Sequence, residues 1–256
     1  MSEALLESPQ PGVALLRINR PEARNALSQS VRDEMATQID ALAADPDVRC
    51  IIITGNEKAF AAGADLKELQ ARGVFDAGFA RSRVLWNALE RCGKPVIAAV
   101  HGFALGGGCE LALHCDIVVA GEGAKFGQTE VKVGIMPGAG GVQRFLRAAG
   151  KAQTLRWVLT GDIFTAQQAF QAGLVSEVVP DADVLPQALA LAGKIAALAP
   201  LSVAAIKENV AVGAEAGLLA ALQFERKTFQ LLFAAQDRSE GIAAFFEKRT
   251  PEFKGS

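Results

Sequence analysis

Leu105-Gly106-Gly107-Gly108-Cys109-Glu110 is the stretch on which the reading of this chain turns, and a second carboxylate follows it at Glu130. Three successive glycines strip the backbone of side chains, so a ligand can approach bare N–H groups. The run from Glu110 to Leu113 is amphipathic. As a helix it places the glycines at its N-terminus, where free N–H groups and the helix dipole favour negative charge. Glu110 then falls in the first turn. A developing oxyanion would find donors there, with an acid/base group beside it.

Composition narrows what such a site can serve. The chain has 256 residues, half of them hydrophobic, enough for one large domain or a domain with a small appendage. Its net charge is -2, from 26 basic and 28 acidic residues, without a basic tract, which argues against nucleic acid as a partner. No apolar run reaches the roughly 18 residues that span a bilayer. Met1 to Gln10 reads neither as a secretory signal nor as a transit peptide, and a cytoplasmic location is expected. Cys50, Cys92, Cys109 and Cys115 form no CxxC pair and read as buried thiols. His101 and His114 are too few for a histidine metal site, and no zinc spacing is present. The P-loop, dinucleotide and nucleophile-elbow patterns are absent.

Val13 to Ile18 reads as a strand stopped by Asn19-Arg20-Pro21. Val31, Met35, Ile39 and Leu42 predict a helix over 27–42, with Ser30 and Asp33 as its capping pair. Cys50 to Thr54, Pro95 to Val100 and Cys115 to Ala120 read as buried strands. Lys58 to Asp65 reads as a loop of small residues, and 76–91 and 142–149 as helices, the latter opened by a turn at Pro137 to Gly141. Strands alternating with helices indicate an α/β domain. Beyond Pro180 strand signals vanish, and helices are expected over 185–198, 201–212, 214–235 and 240–248. The chain therefore divides into a core, residues 1–194, and a helical module, residues 195–256. That module is apolar enough to need a packing partner.

Five segments in order resemble the crotonase, or enoyl-CoA hydratase/isomerase, superfamily: Asn19 to Leu27, Phe60 to Glu68, His101 to Ala112, Phe126 to Glu130 and Gly134 to Gly141. The tail from Ala243 to Gly255 matches as well. The resemblance implies a ClpP-like spiral of ββα units, with a C-terminal helical module that forms trimers, often paired into hexamers. It implies an acyl-CoA substrate whose thioester carbonyl is gripped by the backbone N–H groups of Ala64 and Gly107. Glu130 would give a proton to C2 and Glu110 would help activate water. Both carboxylates together point to hydration of the 2,3 double bond rather than its isomerisation. Thr129 stands where many relatives carry proline.

By the same resemblance, Ala61, Ala62, Asp65, Leu66 and Lys67 line the adenine and pantetheine of CoA, and Arg24 supplies a second cation. Gly138 closes the site, and Phe245 and Lys248 reach a neighbouring subunit's CoA. No cofactor is implied beyond the CoA of the substrate, and neither nucleic acid nor membrane is an expected partner. His101 is expected to hydrogen-bond structurally, and His114, Trp86 and Trp157 to pack in the interior. Phe60 to Asp65, Gly134 to Gly141 and Asp237 to Gly255 are most similar to the branch acting on 2,3-dehydroadipyl-CoA in bacterial phenylacetate breakdown. Its distal carboxylate needs a cation, for which Arg72, Arg81 and Arg83 are candidates. Three alternatives stay open: a Δ3-Δ2 isomerase, an acyl-CoA hydrolase or decarboxylase, and a non-catalytic CoA- or RNA-binding protein. The product, or a gel shift, separates them.

Overall fold

The computed structural model describes residues 2–71, 73 and 81–256. Its centre is decided by two apolar runs, β3 (Cys50–Thr54) and β5 (Val96–Val100), in which every residue is buried. A strand without alternation needs cover on both faces. One face of the sheet packs on α1 (Gln29–Ala44) and α3 (Val84–Arg91), through Val31, Met35, Ile39, Leu85 and Leu89. The other packs on α7 (Val184–Ala196), through Val184, Ala188 and Ala192.

This larger sheet has the order β1 (Ala4–Gln10), β2 (Val13–Ile18), β3, β5, β7 (Ile117–Gly121), β10 (Glu177–Val179). A smaller sheet has the order β4 (Ala59–Ala61), β6 (Phe103–Leu105), β8 (Lys125–Gly127), β9 (Phe164–Thr165). Among the named strands of the described residues, β1 with β2 and β8 with β9 run antiparallel and the other pairs are parallel. The chain visits the two sheets alternately. β3 leads to β4 and then α2 (Leu66–Gln70) and α3. β5 leads to β6 and α4 (Gly107–His114), and β7 leads to β8 and α5 (Gly141–Thr160). These are the turns of a ββα spiral.

Several sequence expectations are corrected. Ser28, not Ser30, caps α1: its hydroxyl accepts from the Val31 N–H at 3.2 Å. The segment 58–65 is not all loop, since Ala59–Ala61 forms β4. The third strand begins at Ile117, not Cys115. The helix at 142–149 continues to Thr160 past a break at Gly150, whose φ is 72°. Of the helix expected over 76–91, residues 76–80 lie outside the described residues, and Val84–Arg91 is α3. Six strands, β1, β4, β6, β8, β9 and β10, were not legible from periodicity. Five of them have only two or three residues, too short to show alternation. β1 is mostly exposed.

The C-terminal helices α8 (Pro200–Glu215), α9 (Leu218–Leu231) and α10 (Gln236–Glu247) follow α6 (Ala166–Gln171) and α7 in chain order. Neither α8 nor α9 buries a residue. Ile206, Val210, Leu218, Leu219 and Phe229 lie exposed on them. A cavity of about 690 Å³ opens between this arm and the end of α3. Among the described residues no single helix is long and apolar enough to cross a membrane.

Candidate active site

Strands β4, β6 and β8 pair in parallel, so their C-terminal ends lie side by side. In open parallel sheets ligands collect at those ends. Each strand here ends in one part of the site. β4 ends at Ala61 and opens the loop Ala62 to Asp65. β6 ends at Leu105 and passes through Gly106 into α4. β8 ends at Gly127 and leads to Gln128, Thr129 and Glu130. The Gly106 N–H donates to the Gly127 carbonyl at 2.8 Å and locks the second end to the third.

Gly107 is the first residue of α4, so its N–H has no acceptor inside the helix. A carbon added to its Cα would lie 3.5 Å from the Ala64 nitrogen. The backbone of the loop and the start of the helix therefore face each other. Gly106 adopts φ 50°, and a carbon added there would lie 3.1 Å from Glu130 Oε1. The absent side chains leave room for that carboxylate to approach.

The carboxylates are held differently. Glu110 is buried in the first turn of α4, and its Oε1 accepts from the Ala139 and Gly141 N–H groups, each at 2.8 Å. Burial pushes its carboxyl above the ordinary value, opposed by those two donors and by the nearby Arg144 guanidinium. Glu130 begins a short 3-10 turn and is half-buried. Burial pushes its carboxyl up to about 7, with its own backbone N–H opposing and the charge of Glu110 adding. Burial raises both carboxyls, but among backbone donors Glu110 is held by two from other residues and Glu130 by its own N–H alone, an asymmetry that suits one basic and one acidic role.

Gln128 joins them, a residue to which the sequence reading gave no role. It is fully buried, and its side-chain NH2, turned to satisfy its neighbours, donates to both Glu130 oxygens at 3.1 and 3.2 Å. A carbon added at Gly141 would meet the Gln128 side-chain amide at 2.5 Å and Glu110 Oε1 at 2.9 Å. The sequence signal was its place in the Phe126 to Glu130 segment, and nothing in that segment revealed its contacts.

Asp65 caps α2, accepting from the Lys67 N–H at 3.0 Å and the Glu68 N–H at 3.4 Å. Its other oxygen takes Arg20 at 2.7 Å, and that ion pair holds the carboxyl below the usual range. Ala61 is buried; Ala62 is half-buried and its N–H donates to the Arg24 carbonyl at 3.1 Å. Leu66, Lys67 and the Arg24 side chain are exposed around the loop. Gly138 is exposed, and Glu110 is held by its neighbours Ala139 and Gly141 rather than by Gly138. Phe245 and Lys248 are exposed at the end of α10, where Lys248 has φ 55°.

His101 Nε2 bonds the Asp181 carbonyl at 3.1 Å, a structural contact. His114 Nδ1 bonds the Glu110 carbonyl at 2.8 Å, and its ring lies 4.9 Å from Trp86. Trp86 and Trp157 are buried, as are all four cysteines, which carry free thiols. Of the three candidate arginines, Arg72 lies outside the described residues. Arg81 pairs with Asp33, and Arg83 lies 4.0 Å from Glu90. Both thus already face a carboxylate. Among the described residues no group of three or more His, Cys, Asp or Glu is placed to hold a metal.

Residues 8–256 match the family model described as enoyl-CoA hydratase/isomerase. A 2,3-dehydroadipyl-CoA hydratase of Escherichia coli K12 is 49% identical over 255 residues, covering 100% of both chains. A mitochondrial enoyl-CoA hydratase of Pongo abelii is 46% identical and covers 94% of this chain and 83% of its own. The solved enoyl-CoA hydratase of Bacillus anthracis superposes with a TM-score of 0.95 at 37% identity, over 99% of this chain and 100% of that one. That of Polaromonas sp. JS666 gives 0.91 at 34% identity, over 98% and 99%.

Proposed function

Because the chain belongs to the enoyl-CoA hydratase/isomerase family, we propose that it is an enoyl-CoA hydratase, adding water reversibly and syn across the 2,3 double bond of an acyl-CoA. The observation that carries this reading is the meeting of Glu110, Glu130 and the Ala64 and Gly107 backbone at three adjacent strand ends. The two N–H groups take the thioester oxygen. They bind it more tightly as negative charge grows there, and each is worth about 3 kcal/mol of barrier. Glu110, ionised against its two backbone donors, accepts a proton from water while the water oxygen bonds to C3. The π pair moves toward C2 and the thioester, and protonated Glu130 supplies the C2 proton. The pair then carries its one proton on Glu110, so hydration and dehydration both run from a singly protonated pair.

Ala61, Ala62, Asp65, Leu66 and Lys67 form the CoA-binding strip in this reading, with Arg24 as a second cation and Gly138 at the mouth. No cofactor beyond CoA takes part. Residues 1–194 act as the catalytic core and 195–256 as the assembly module of a homotrimer or a hexamer. The exposed apolar residues of α8 and α9 support that assignment. There Phe245 and Lys248 reach a neighbour's CoA. The enzyme works in the cytoplasm. A dicarboxylyl substrate, 2,3-dehydroadipyl-CoA, is supported by the likeness to the Escherichia coli protein, and a place in phenylacetate degradation by the resemblance of Phe60 to Asp65, Gly134 to Gly141 and Asp237 to Gly255. The test is loss of enoyl-thioester absorbance with crotonyl-CoA and with 2,3-dehydroadipyl-CoA, with the product weighed. A gain of one water supports the reading, and the ratio of kcat/KM values decides the substrate. Free CoA, CO2 or a shifted double bond would replace it.

A further inference from the structure

We infer that Asn25, with Arg20, is a positioning residue that aims the Ala64 N–H. The inference rests on the reading of Ala64 as a donor to the thioester oxygen. Asn25 is fully buried and holds φ 58°, in the left-handed region that asparagine enters more readily than other residues bearing a side chain. Its Nδ2 donates to the Ala59 carbonyl at 2.8 Å and the Phe60 carbonyl at 3.3 Å. Its Oδ1 accepts from the Arg20 N–H at 3.0 Å. One side chain therefore ties β4, the strand that launches the loop, to the segment from Arg20 to Leu27.

That segment then grips the loop residue by residue. The Ala62 N–H donates to the Arg24 carbonyl at 3.1 Å, and the Leu27 N–H donates to the Gly63 carbonyl at 2.8 Å. The Arg20 guanidinium donates to Asp65 at 2.7 Å. Ala64 lies between these anchored neighbours, bridged in parallel to Leu27, with its nitrogen toward Gly107. A donor fixed this way needs no reorganisation as charge develops on the oxygen. The sequence places Asn25 in a turn after Pro21, and nothing in its spacing shows that it works on a loop more than thirty residues away.

The experiment compares Asn25→Ala and Arg20→Gln with the unaltered protein, by crotonyl-CoA kinetics and by the absorption of bound 2,4-hexadienoyl-CoA. That chromophore shifts to the red when donors polarise its carbonyl. For Asn25→Ala, kcat should fall on the order of 100-fold, the cost of a donor displaced by about 1 Å, while KM stays within about threefold. The red shift should shrink in step, and Arg20→Gln should move both readouts the same way by less. The inference fails if kcat stays within about twofold in both variants, or if kcat falls while the full red shift persists. It fails too if the loss lies in KM. Should Asn25→Ala not fold, Arg20→Gln decides alone, since it removes the Asp65 tie and keeps the backbone N–H to Asn25. An unaltered protein that neither hydrates crotonyl-CoA nor shifts the dienoyl absorption would overturn the hydratase reading itself. That result is distinct from normal wild-type behaviour with unaffected variants.

Discussion

Glu130 differs from Glu110 in having no backbone donor beyond its own N–H. Burial pushes its carboxyl up to about 7, and the Gln128 NH2 donating to both its oxygens acts in the other direction. As the acid for C2, it should give a hydration rate that falls above about pH 7. Glu110, whose carboxyl is also raised, sets the acidic limb, so the profile is a bell. Glu130→Gln should lower kcat by about 10²- to 10⁴-fold with acyl-CoA binding nearly unchanged, and should erase the alkaline limb. Stopped-flow rates across pH and a ligand titration check both. Gln128→Leu removes a donor to the Glu130 carboxylate, which favours the protonated acid, so the alkaline limb should move to higher pH. The same raised carboxyl has a sign for stability. Between the ordinary glutamate value of 4.5 and about 7 the folded protein holds a proton that the unfolded chain has released. Unfolding free energy should therefore fall as pH rises through that window, and Glu130→Gln should flatten the fall.

At the scale of elements, α4 sits so close to β4 that a carbon added at Gly108 would stand 1.9 Å from the Ala61 carbonyl oxygen. Backbone cannot yield that distance cheaply. Gly108→Ala should lower the midpoint of thermal unfolding and activity together, read by calorimetry and by crotonyl-CoA turnover. The glycine triplet was legible because it is contiguous in sequence, and it correctly announced a helix N-terminus with Glu110 in its first turn. The buried strands β3 and β5 were legible because both their faces are apolar. The smaller sheet was not, since strands of two or three residues show no period, and it is this sheet that brings the loop, the helix and Glu130 together. Gln128 and Asn25 escaped for a related reason. Their roles are contacts to partners such as Glu130, Ala59 and Phe60, and residue type alone does not name a partner.

Over the whole molecule, apolar surface is distributed unevenly. The sheet is covered on both faces, while α8 and α9 contain no fully buried residue. Val210 and Leu219 are among their most exposed apolar residues. Val210→Asp combined with Leu219→Asp should leave a smaller species by sedimentation velocity. If Phe245 and Lys248 serve a neighbour's site, KM for acyl-CoA should rise with the loss of assembly while the chemistry of Glu110 and Glu130 remains. The two sheets also differ in what they risk. The six-stranded sheet carries the long buried ladders, whereas the strands that end in the site are three residues each. Short ladders open at lower free energy than core ones. Amide hydrogens around Ala61, Leu105 and Gly127 should thus exchange with solvent deuterium sooner than those of Ile52 and Ala98. On gentle warming the protein should fall silent as a catalyst while its bulk secondary structure is still intact.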